Sequence, residues 1–196
     1  MVHTMNQRST PVWALLCVTL WAASCAASSP PTPEPISLEG WRSETLDLPP
    51  GFAPSLPTGS ESVLFAPGFF DSTTETHWSY VFTMWIDEPI PDEEQLDTML
   101  EAYFDGLLAL VSSGSGRDVG NDAANVTVLS ADDEQFEAKI RLIDVFDSYE
   151  PVDLRVRGTF ESSGETVLRF LISPQSLDHS VWRSLAVASQ SLQKPV

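Results

Sequence analysis

Cysteine is nearly absent from this chain. Cys17 and Cys25 both fall within the first 25 residues, and no cysteine follows. The rest of the chain therefore has no thiol for a disulfide, a nucleophile or a thiolate metal site, and a core of apolar side chains has to hold it. Cations are scarce too: 10 Lys and Arg stand against 28 Asp and Glu, a formal net charge of −18. This excludes nucleic acid as a partner, because binding its phosphates needs clustered cations. Histidine occurs only as His3, His77 and His179. Neither His77 nor His179 has a second ligand or acid/base partner at a recognisable spacing, so His77 is expected to be a surface or strand-end residue. No Gly-x-Ser-x-Gly elbow supports a serine hydrolase. The glycine-rich polar residues 112–125 lack the Gly-Lys-Ser/Thr ending of a phosphate loop. No catalytic residue, metal set or cofactor motif emerges.

Apolar runs are short. The longest, residues 12–23, falls below the ~20 residues that cross a bilayer. Arg8 lies before it, and Ala22-Ala23-Ser24 lie directly before Cys25, which is the order of a secretory signal with small residues at its cleavage site. The stretch resembles the lipobox of bacterial lipoproteins, with Ala22 where that family usually has leucine. The resemblance implies diacylation of Cys25 and attachment to a membrane through the N-terminal lipid. Ala26 and Ala27 carry no acidic retention signal, which points to an outer-membrane lipoprotein of the cell envelope facing the periplasm or the surface. Cleavage just beyond, at residues 26–28, would instead release a soluble secreted or periplasmic protein. Four prolines in residues 28–35 form neither helix nor interior strand and make a semi-rigid tether. The chain thus divides into a signal (1–24), an attachment cysteine with its Pro-rich tether (25–36) and a single domain (37–196).

Within the domain, residues 44–48 and 62–66 read as short strands. From His77 to Ile86, an apolar set (Trp78, Tyr80, Phe82, Met84, Ile86) alternates with a mixed one, as in a long strand with one fully apolar face. Leu96, Met99, Leu100, Tyr103, Phe104, Leu107, Leu108 and Val111 recur at helical spacing. Asp92 and Gln95 form a capping box for that helix, and Gly114 is available to end it. Strand-like runs follow at 125–129, 136–145, 152–161 and 166–172, with residues 162–165 as a hairpin turn. A last helix spans about 179–192 with Asp178 as its cap. The expected fold is α+β: an antiparallel β-sheet with two helices packed on one face.

One constellation rises above this background. Alternation places Lys139 and Arg141, Arg155 and Arg157, and Arg169 opposite the apolar sides of their strands. If the three strands are adjacent, five of the ten basic residues share one open face, with Val81 and Trp85 extending it. Glu137, Asp153 and Glu161 lie on that face and would neutralise part of it by cross-strand pairing. The expected function is that of a binding or interaction domain, without cofactor, for an envelope protein or another anionic partner. An exported enzyme acting on envelope or extracellular material through acidic residues is the alternative.

Overall fold

The computed structural model describes residues 36–117, 119–120, 123–162 and 164–195. The signal, Cys25 and most of the tether lie outside the described residues. Seven strands and two helices follow one another as β1 (Arg42–Leu48), β2 (Gly59–Phe65), β3 (Tyr80–Ile86), α1 (Glu93–Ser115), β4 (Asn125–Ala131), β5 (Gln135–Ile143), β6 (Pro151–Ser162), β7 (Thr166–Ser173) and α2 (Val181–Ser191). The strands form one sheet in the order β1-β2-β3-β7-β6-β5-β4, and every neighbouring pair is antiparallel. The expected α+β architecture with an antiparallel sheet and two helices is present.

Helix α1 begins as its sequence predicts. The Asp92 carboxylate accepts from Gln95 N, and the Gln95 side chain accepts from Asp92 N, so two otherwise orphan donors are satisfied reciprocally. The helix runs past Gly114 and ends at Gly116, whose φ of 70° is the left-handed conformation that glycine adopts without a Cβ clash. Its stripe of Leu96, Leu100, Tyr103, Phe104 and Leu108 is buried against the sheet face carrying Tyr80, Phe82, Met84, Phe170 and Ile140. On the same face Phe136 packs over Gly158, its cross-strand neighbour. A Cβ at Gly158 would lie 2.1 Å from the Phe136 ring, so the ring needs a glycine beneath it.

The second helix lies on the other side, which corrects the one-face arrangement. Val181, Trp182, Leu185 and Ala188 of α2 cluster with Leu64, Val81, Trp85 and Val167. Val81 and Trp85 alternate with the residues that face α1, so β3 is covered by a helix on each side. All seven of its residues are buried. The second half of 77–86 is thus buried on both faces, Thr83 included, and the strand itself starts only at Tyr80, after Trp78 at φ 53°. Asp178 does not cap α2. Its carboxylate accepts from Ser176 Oγ, while Val181 N donates to His179 Nδ1.

Candidate functional site

Because α2 covers only the centre of its face, over β3 and β7, the strands β6, β5 and β4 keep that face open. Four of the five basic residues stand here, on β5 and β6, and Arg169 stands on the same face of β7, which α2 partly covers, so the five lie on three adjacent strands as their alternation predicts. The register pairs Glu137 with Arg157, Lys139 with Arg155, and Arg141 with Asp153. Arg169 on β7 lies beside Thr159 and diagonal to Glu161.

Three of the five are neutralised within the sheet. Arg141 Nη1 donates to both Asp153 carboxylate oxygens at 3.0 and 3.1 Å. Arg157 Nε is 3.3 Å from Glu137 Oε1, and Arg169 Nε is 3.4 Å from Glu161 Oε1. These pairs are solvent-exposed and contribute about 0–1 kcal/mol each. Lys139 and Arg155 are different: they oppose each other across β5 and β6, and neither has an acidic partner among the described residues. Like charges placed directly opposite destabilise a sheet by a few tenths of a kcal/mol up to ~1 kcal/mol. With Asn125, Thr127 and the Arg141–Asp153 pair they line a depression of about 410 Å³. Lys139 and Arg155 bring an ammonium and a guanidinium fork, donors with no acceptor of their own, while Asn125, Thr127 and Asp153 beside them carry acceptor oxygens.

A second polar cluster escaped the sequence reading. His77 Nε2 lies 3.3 Å from Asp144 Oδ2, and its side chain is only 12% exposed, so it is not a surface residue. Asp144 sits just past β5 and is itself buried. It accepts from Trp78 Nε1, Phe146 N, Ser148 N and Ser148 Oγ. Burial pushes its carboxyl up, but those hydrogen bonds together outweigh burial and hold it below the usual carboxylate range. The cluster anchors the β5–β6 connection to the start of β3 and leaves Asp144 with no free acceptor role. The partners are 67 positions apart, a spacing no motif would flag. His179 similarly meets Glu75, at 3.6 Å.

Among the described residues no three His, Asp or Glu side chains converge as metal ligands would, and no helix is long and apolar enough to cross a membrane. Comparison with protein-family models, curated proteins and solved structures finds no match to this chain.

Proposed function

We propose that the protein is an exported interaction module, tethered to the cell envelope through Cys25, that holds a carboxylate-bearing partner against the uncovered half of its sheet. One observation carries this reading: among the described residues Lys139 and Arg155 face each other without an acid, in a chain with 18 more negative than positive charges. Acids abound on this surface, and three neighbouring arginines have taken one each. A carboxylate from outside would relieve the repulsion between the two free cations and accept a bidentate bond from Arg155. The open sheet face gives the partner a shallow, broad footing, as suits a macromolecule rather than a small substrate. The lipid tether and envelope location rest on the N-terminal sequence, and the Pro-rich residues 28–35 would hold the domain clear of its anchor.

The test is Lys139→Gln with Arg155→Gln in one protein. Binding of a soluble polyglutamate chain is measured by calorimetry at low and at raised salt, beside thermal melts. Wild type binds, added salt weakens it through screening, and the variant loses binding by tenfold or more while melting at the same or a slightly higher temperature. A lower melting temperature with unchanged binding would show that the two cations serve the fold alone, and would end the proposal.

A further inference from the structure

On the other side of the sheet, between α1 and the β1-β2-β3 end, lies a hollow of about 310 Å³ that the basic face does not reach. Its floor is Val63, Phe69, Trp78, Tyr80 and Tyr103, each less than 5% exposed. Its lip is exposed: Leu110 is 55% and Phe70 38% accessible. A solvent-open lip above a buried floor distinguishes it from a sealed packing defect. An engineered apolar cavity of about 150 Å³ suffices to bind benzene. The walls are rings in several orientations: Phe65 stacks on Tyr80 at 5.8 Å between centroids, and Phe69 meets Tyr80 edge-on at 5.2 Å. They offer an inserted ring both faces and edges, the two geometries aromatic pairs favour.

The polar groups around this hollow are sparse and unfinished. The Tyr80 hydroxyl is buried without a hydrogen-bond partner among the described residues. Beyond Tyr103, the fully buried Glu61 accepts from the Tyr103 hydroxyl at 2.8 Å through Oε1, and its Oε2 has no partner among the described residues. Burial pushes the Glu61 carboxyl up to about 8, with the Tyr103 hydrogen bond opposing only in part, so the acid behind this wall is uncharged at neutral pH. A buried hydroxyl left unpaired costs about 1–3 kcal/mol, which a ligand atom bonded to it would recover. At the lip the charges balance: Arg42 sits 5.1 Å over the Phe70 ring and 3.8 Å from Glu44.

We propose that this hollow is a binding site for a small uncharged aromatic molecule bearing one hydroxyl or carbonyl group, its ring among Phe65, Phe69 and Trp78 and its polar group on the Tyr80 hydroxyl. The acid behind Tyr103 is uncharged at neutral pH and Arg42 at the lip is paired with Glu44, so the hollow offers no counter-charge to an anion or to a cation. The site stands on the face opposite Lys139 and Arg155, so it is independent of the function proposed for them.

The full chain is titrated calorimetrically with naphthol, naphthalene and naphthoate. Naphthol should saturate one site per chain, bind about fivefold tighter than naphthalene, the scale of one net hydrogen bond, and outcompete naphthoate by more. Leu110→Trp, at an exposed position on the lip, should weaken naphthol and naphthalene alike by narrowing the mouth. Tyr80→Phe should erase the advantage of naphthol over naphthalene without lowering the melting temperature, because it removes an unpaired buried hydroxyl. Any of three results overturns the proposal: no saturable binding of naphthol, affinities unchanged by Leu110→Trp, or a naphthol preference that survives Tyr80→Phe in a folded protein. Naphthoate binding best would overturn the uncharged ligand class.

Discussion

Glu61 shows how one residue can couple the fold to pH. It occupies an inward position on β2, on the side that faces α1, two residues before Val63. Its folded-state value near 8 lies above the 4.5 of an accessible glutamate. Below about 4.5 the folded and unfolded chains both carry the proton and burial is at its cheapest. Between 4.5 and 8 the unfolded chain releases the proton while the folded chain keeps it, so stability falls as pH rises through that window and levels off above it. At ~1.4 kcal/mol per pH unit the loss amounts to several kcal/mol. Glu61→Gln keeps the shape of the protonated acid and cannot ionise. Urea midpoints at pH 5 and pH 8 should therefore diverge: the wild type loses far more stability than the variant, which is the more stable of the two at pH 8. Equal losses in both proteins would mean that Glu61 is ionised in the fold. Nothing in the sequence singled out this residue, because one acid among 28 carries no mark of its burial.

At the scale of elements, β3 and the two helices decide what is covered and what is left open. β3 is buried on both sides because Tyr80, Phe82, Met84 and Ile86 meet the α1 side while Val81 and Trp85 meet α2. The helical stripe of α1 and its capping box were legible, since both depend on residues three and four apart. The cap of α2 was not: Asp178 and His179 adjoin the helix equally well in sequence, and the fold gives Asp178 to Ser176 and His179 to the Val181 amide. With the sheet between them, the helices should act independently. Leu100→Ala on α1 and Leu185→Ala on α2, both fully buried, should each cost roughly 2–5 kcal/mol. In the double variant the losses should add to within about 0.5 kcal/mol. Denaturant midpoints of the four proteins measure this. A clear departure from additivity would mean that the two helices share packing partners.

Taken whole, the described domain is a sheet with one side closed by α1 and the other only half closed by α2, and Lys139, Arg141, Arg155 and Arg157 occupy the half that stays open. Its relation to a membrane belongs to the same scale. If Cys25 carries lipid, Cys25→Ser should leave the melting curve unchanged and move the exported protein from the membrane fraction to the soluble one, because only the acylated thiol supplies chains worth ~0.8 kcal/mol per buried methylene. Equal pelleting of both proteins after a wash that strips peripheral proteins would refute the lipid anchor. The amino-acid sequence by itself determined the element types and most of their extents, and the side of each strand on which Lys139, Arg141, Arg155, Arg157 and Arg169 stand. Alternation and helical spacing are local properties of the chain, and the short connections after β4 made antiparallel neighbours the natural outcome. Only the tertiary structure decided that α2 crosses to the far face, that Lys139 and Arg155 are the two of the five basic-face residues without an acidic partner among the described residues, that His77 meets Asp144, and that Glu61 is buried behind Tyr103, a wall of an aromatic hollow. Each of these depends on which distant residues share a layer, and a local pattern of apolar and polar side chains is the same whichever helix comes to cover it.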